Sequence, residues 1–193
     1  MAARVLRAAE RSASAWKNGG GVTREVAAFP EGSGLAEFHW RVSLADVARG
    51  GPFSVFPGVD RVITVVRGAG MLLTVDGVER RVDTPYQPFA FSGDADTGCR
   101  LLEGPLVDFN VMTRRERVSA RVDVVDGSVP LRGEAEVTLL AMVLEGGAEL
   151  RGSDDDTGAV ALGPLDAVLL TGTESATLDV RGRAAVVTFR QLD

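Results

Sequence analysis

Cysteine, histidine and lysine are among the residue types almost missing from this chain, with one of each in 193 residues. A lone Cys99 excludes an intramolecular disulfide framework and any multi-cysteine zinc site. A lone His39 leaves no second imidazole for a metal, and a Ser-His-Asp arrangement would rest on it alone. Long apolar runs are missing too, and nothing approaches the ~20 residues a bilayer-spanning helix needs. The net charge is −6, which argues against a nucleic-acid partner. The densest basic group, Arg114, Arg115 and Arg117, is interrupted by Glu116 and reads as a solvated strand end. Residues 1–15 carry Arg4, Arg7 and Arg11 among alanines, but lack an apolar stretch and include Glu10. They read as a first strand rather than a targeting segment, and the expected setting is cytoplasmic, away from membranes. No Gly-x-Ser-x-Gly elbow, phosphate-binding loop or Gly-x-Gly-x-x-Gly turn is present.

The single lysine stands in the run Trp16-Lys17-Asn18-Gly19-Gly20-Gly21-Val22-Thr23-Arg24-Glu25, while the other 20 basic residues are all arginine. Three glycines let the backbone take positive φ and approach a ligand closely. Lys17, Asn18, Thr23 and Arg24 offer donors, Glu25 a carboxylate, and the Gly19–Gly21 amides a possible anion nest. A tight glycine turn covered by Trp16 accounts for the same residues, and both readings stand.

Elsewhere the rhythm is of short β-branched runs closed by turn signals. Strands are predicted over 38–46, 61–67, 71–76, 78–83, 101–113, 117–125, 137–144, 159–162, 167–171 and 184–190. Asp76-Gly77 between apolar residues predicts a hairpin with a type I′ turn. The segment Val65–Leu72 echoes Val143–Leu150, each a strand running into glycines. The fold class expected is all-β: two jelly-roll barrels in tandem, packed together, with lobes at residues 1–118 and 119–193.

Residues 52–77 resemble the first motif of a metal-binding cupin, with Arg61 in the glutamate slot and Ser54 and Phe56 in the histidine slots. None of these ligates a transition metal, so no metal or other cofactor is expected. The run Ser153-Asp154-Asp155-Asp156 lacks the glycine and glutamate of a calcium loop and reads as solvated. On the strand through Asn110, Asp108 and Met112 share its face, whereas Phe109 and Val111 take the other.

Five segments in order carry a closer likeness: WKNGGGVTRE at 16–25, WRVSLAD at 40–46, GPFSVFPGVDR at 51–61, FSGD at 91–94 and GPLVDFNVMTRR at 104–115. Over roughly residues 4–115 the chain resembles the HutD/Ves family, and its second half fits only in β pattern. The resemblance implies a bicupin without established catalysis, associated in some members with bacterial histidine utilisation and in others with stress. A role in sensing urocanate or formylglutamate is implied at the family level only.

An arginine where cupins hold a carboxylate favours an anionic ligand through bidentate pairing. The expected function is binding of a small carboxylate-bearing metabolite by Trp16, Lys17, Asn18, Gly19, Gly20, Arg24, Glu25, Phe56, Arg61, Asp94 and Asn110, in a regulatory or accessory role with no catalytic residue. A monomer or homodimer is expected. The alternative is a metal-independent isomerase or lyase, with Glu25, Asp94 or Asp108 as base and Lys17 as acid or electrophile.

Overall fold

The computed structural model describes residues 3–152 and 158–192; the acidic run at Ser153–Asp156 lies outside them. Among the described residues the chain is all-β, with a single three-residue 3-10 turn at Ala8–Glu10. The strands are β1 (Arg4–Leu6), β2 (Ala13–Ala15), β3 (Gly21–Phe29), β4 (Trp40–Val47), β5 (Gly51–Pro52), β6 (Val59–Arg67), β7 (Met71–Val75) and β8 (Val78–Val82). They continue as β9 (Phe89–Ser92), β10 (Thr97–Leu101), β11 (Leu106–Arg114), β12 (Val118–Arg132), β13 (Val137–Gly152), β14 (Val160–Leu162), β15 (Ala167–Thr171) and β16 (Ser175–Gln191).

The chain divides into two compact units, a terminal one of Met1–Glu10 with Ser119–Asp193 and a middle one of Arg11–Val118. The sequence division assigns residues 1–10 to the N-terminal lobe. In the structure β1 runs antiparallel to β15, with Arg4 opposite Leu169, so the chain starts in the terminal unit. The expected first strand over 1–15 is therefore cut in two by the 3-10 turn, and β2 pairs with β3 in the middle unit.

The terminal unit is one sheet in the order β1-β15-β13-β16-β12, with β14 also on β13. Its two longest strands pair from Val137 opposite Arg190 to Gly152 opposite Ala176. The predicted strand over 137–144 stops short of Gly146-Gly147; the structure carries it through to Gly152. At Gly146 φ is +74°, and a Cβ there would stand 1.9 Å from the Arg181 carbonyl oxygen. Gly182 likewise leaves only 2.3 Å between a Cβ and the Glu145 carbonyl oxygen. The two backbones cross where neither has a side chain, the register shifts between Val143 and Glu145, and the ladder bends as at a β-bulge. Residues on both sides of the bend, Leu139 and Val143 before it and Ala148 and Leu150 after it, join one apolar core.

The middle unit has two sheets, β2-β3-β4-β11-β6-β9 and β5-β10-β7-β8. Ala45, Ile63, Val65 and Leu106 from the larger meet Met71, Leu73 and Cys99 from the smaller in a shared core. The Asp76-Gly77 hairpin forms as read, with Val75 opposite Val78 and positive φ at both turn residues, 46° and 78°. The single strand expected over 101–113 is two, β10 and β11, each in a different sheet.

Candidate functional site

Alternation along five adjacent strands of the larger sheet, β3-β4-β11-β6-β9, builds the site. Arg61 on β6 stands opposite Phe91 on β9 and Met112 on β11; Met112 in turn faces Arg41 on β4. One row along, Asn110 faces Ile63 on one side and Ser43 on the other, and Ser43 faces Glu25 on β3. Opposed residues in an antiparallel ladder point to the same side. This face is the interior one, because Ala45, Ile63 and Val65 on it make the inter-sheet core. A row of polar side chains thus crosses an apolar face, between the core and a smaller cluster of Phe38, Val59 and Met112.

Arg61 is only 8% exposed. Its guanidinium lies over three phenylalanine rings, 5.1 Å from Phe53, 5.7 Å from Phe56 and 5.0 Å from Phe91. One long hydrogen bond, 3.5 Å, runs from an Arg61 terminal nitrogen to Asn110 Oδ1. Its Nε is buried without a hydrogen-bond partner, and none of the described carboxylates forms an ion pair with it. Cation–π contacts of this kind supply about 0.5–2 kcal/mol each, against the several kcal/mol that burying an ion costs. Burial accordingly pulls the Arg61 guanidinium down to about 10, with Asp108 opposing the shift and Arg41 adding to it.

Asp108, 3% exposed, lies on the same face as Asn110 and opposite Ala45 and Val65. Burial pushes its carboxyl up to about 7; Arg61 works against this and Asp46 adds to it. The carboxyl is therefore protonated over much of the acidic range, and leaves the Arg61 charge poorly balanced.

The expected site residues separate into two groups. Arg61, Asn110 and Phe56 converge, and Glu25 joins them at the rim by accepting from Arg41 Nε at 2.7 Å. Trp16 packs against the same core and donates from Nε1 to Thr23 Oγ1 at 2.7 Å. The others do not converge on Arg61. Lys17, Asn18 and Gly19 form an exposed turn. The nest is not available: the Gly19 amide donates to the Trp16 carbonyl at 3.0 Å and the Gly20 amide to Asn18 Oδ1 at 2.9 Å. Gly21 serves packing, since a Cβ would stand 2.3 Å from the Asp46 carbonyl oxygen. Arg24, opposite Leu44 on the other face, is paired with Asp46. Asp94 accepts from the Gly58 amide, Ser92 and Arg115, which pull it down to about 2 in an exposed turn.

The cupin slots hold a guanidinium at Arg61, a hydroxyl at Ser54 and a hydrocarbon ring at Phe56, which do not fit a transition metal. Among the described residues no group of three histidine, cysteine, aspartate or glutamate side chains gathers anywhere. His39 is engaged by Arg117, whose terminal nitrogen lies 3.0 Å from Nε2, and burial followed by that charge lowers its pKa.

A family model described as HutD matches residues 8–188. The chain belongs to the HutD family. An uncharacterized 21.2 kDa protein of the hutC 3′ region in Pseudomonas putida is 38% identical over 184 residues, 95% of each chain. Protein Ves of Citrobacter koseri is 46% identical over 114 residues, 58% of each chain. HutD from Pseudomonas fluorescens SBW25, solved in a formate condition, matches with a TM-score of 0.86 and 38% identity over the whole of both chains. With a putative glyoxylate-induced protein of Pseudomonas aeruginosa the likeness is one of fold, at 15% identity, a TM-score of 0.72 and coverage of 99% of this chain and 88% of that one. That fold is cupin-like. The HutD match runs through the second half as well, where the sequence shows only a loose β pattern.

Within this HutD-family chain, Arg41, Ser43, Phe53 and Phe91 complete the polar row and the aromatic wall without having been singled out as ligand groups. A signal for Arg41 and Ser43 was available in the alternation of residues 40–46, where they share a side with Ala45. Phe91 had none, because its approach to Arg61 depends on β9 pairing with β6, and Phe53 lies in the loop after β5, where no alternation marks its side. Among the described residues no helix is long and apolar enough to cross a membrane.

Proposed function

We propose that the middle unit binds a small carboxylate-bearing metabolite at Arg61, without a metal, and that the chain serves a regulatory or accessory role rather than a catalytic one. The observation that carries this reading is the Arg61 guanidinium itself, 8% exposed, ringed by phenylalanines and with a buried Nε that has no partner. A planar carboxylate is the group that pairs with a guanidinium through two parallel hydrogen bonds. Asn110 adds an amide beside it, and Phe56 a flat apolar wall suited to a planar or aliphatic body. In this reading each unit corresponds to one lobe of a bicupin. Kinship with a protein of the hutC 3′ region supports a ligand from histidine utilisation, of the urocanate or formylglutamate kind.

The test is a thermal-shift screen of such carboxylates against the native chain and Arg61→Gln. Ligand at 100 times its Kd adds about 2.7 kcal/mol, so a saturable rise of several degrees is expected with the native chain and none with the variant. A flat response to every carboxylate sinks the proposal.

One observation favours a second reading. Asp108 is a buried carboxyl pushed up to about 7 and close enough to Arg61 for each to move the other's pKa. Such a group is matched to proton abstraction near neutral pH, as an isomerase or lyase acting on a carboxylated substrate needs. It lies beside Arg61 and not beside Lys17, so a lysine-assisted version of this chemistry has no support. Solvent deuterium incorporation into a bound carboxylate, lost in Asp108→Asn, would distinguish catalysis from binding.

A further inference from the structure

We propose that the Arg61 site takes up a carboxylate together with a proton from solvent, and that Asp108 receives the proton. This rests on the carboxylate reading of Arg61 and adds its regulation: affinity for the anion falls as the solution turns alkaline. Arg61 and Asp108 share the interior face of the larger sheet, Arg61 opposite Met112 and Asp108 four residues back along β11. The Arg61 guanidinium does not stay in its own row. It leans to Asn110, its 3.5 Å partner, and so ends one row from Asp108, about 7 Å of strand. No ion pair joins the two, and no described group hydrogen-bonds to the Asp108 carboxyl. A buried cation and a buried acid thus stand in one apolar compartment, near enough to feel each other but without contact.

Charge balance then couples the two events. With Asp108 protonated the pair carries one positive charge, and a carboxylate docked on Arg61 neutralises it. With Asp108 ionised the pair is already neutral, and the same ligand leaves a net negative charge where water is scarce, which is costly. Like charges sharing a buried site disfavour each other's ionised forms, so one carboxylate takes a proton. The ligand's is held ionised by the guanidinium it pairs with. The proton goes to Asp108, which burial already pushes up to about 7. The other charges around Asp108 do not replace this coupling. Asp46 on β4 raises it further and is paired with Arg24; Arg41 on β4 is paired with Glu25; Cys99 on β10 stays a thiol, raised to about 11 by burial and then by Asp108. Ala45 and Val65, directly opposite Asp108, carry no charge. In the complex Asp108 is a neutral acid, the reverse of the base that an isomerase or lyase requires.

Calorimetric titration of the full chain with N-formylglutamate and with propionate, at pH 6, 7 and 8 and constant ionic strength, tests the idea. Neither probe changes its own charge over this range. The native chain should bind at least about fivefold more weakly at pH 8 than at pH 6. At pH 8 the heats in Tris and in HEPES should differ by the uptake of more than about half a proton per ligand. Asp108→Asn should flatten the profile to within about twofold and remove the buffer dependence. Should that variant fail to fold, His39→Gln decides. His39 is the one histidine of the chain and is engaged by Arg117, so its replacement should leave the native slope in place. Equal affinities at pH 6 and pH 8, no buffer dependence, a slope that survives Asp108→Asn, or one lost in His39→Gln each overturn the proton coupling and leave the carboxylate reading intact. Absence of saturable heat from both probes at every pH overturns both.

Discussion

Asp108 couples stability to pH in the direction opposite to an ordinary surface aspartate. Its folded carboxyl is pushed up to about 7 by burial, from a normal 3.8. Between these values the folded chain holds a proton that the unfolded chain has released, so stability falls as pH rises through that window. The charged groups acting on it are Arg61 from β6, which favours the carboxylate, and Asp46 from β4, which disfavours it; Cys99 on the opposite sheet is itself raised by burial and then by Asp108. The accumulated loss is on the order of 4 kcal/mol. Asn is close in shape to the protonated acid, so Asp108→Asn should remove most of this slope, read as denaturation midpoints at pH 5 and pH 8. Equal slopes in both proteins would show that the carboxyl titrates normally. Arg61, Asn110 and Phe56 were legible because each depends only on local spacing: a slot count from a glycine, and a face set by alternation. Arg24 was misplaced by the same alternation ignored: it is one residue from Glu25 and so points the other way, to Asp46. Asp94 and the Gly19–Gly20 amides look available in sequence, yet neighbouring backbone and side-chain groups already use them.

Among the elements, glycine decides what a strand does at its end, and similar strings give different outcomes. After β6, Gly68 and Gly70 both have positive φ, 98° and 95°, and the chain leaves one sheet for the other. In the echoing segment only Gly146 is positive, at 74°, and β13 bends without ending. In sequence both look like corners, because the glycines are visible there and the partner backbone beside Gly68, Gly70 and Gly146 is not. β12 likewise runs on through Asp126-Gly127, past the predicted strand end at Val125. β3 escaped notice because its register shift between Glu25 and Ala27 breaks the alternation that marks a strand. Gly146→Ala should cost more than about 3 kcal/mol, since strained φ alone costs about 1–3 and its Cβ would also meet the Arg181 oxygen at 1.9 Å. Gly127→Ala, equally positive in φ at 67° but facing open space, should cost only about 1–2 kcal/mol. Denaturant midpoints of the two variants make the comparison, and equal losses would remove the crossing as the cause.

Across the whole molecule, the chain begins in one unit, builds the other and returns. Asp166 secures the start: it accepts from Arg7 at 2.8 Å, the Ala8 amide at 2.8 Å and the Gly163 amide at 3.1 Å. Its partial burial would raise its pKa, but the Ala8, Arg7 and Gly163 hydrogen bonds outweigh that and lower it. Asp166→Ala leaves two backbone donors unmet and should cost about 2 kcal/mol, with faster hydrogen exchange at the β15 amides that pair with β1. Unchanged exchange there would show the tether to be idle. All-β architecture was legible in the turn chemistry and β-branched runs, whereas the return of the first strand was not, because pairing over 160 residues leaves no local mark. The exposed turn at Lys17 has a practical corollary. With no second ε-amine anywhere in the chain, amine-directed coupling meets one side-chain target, with only the α-amine in competition, so a fluorophore or sensor surface can be directed to one defined side chain.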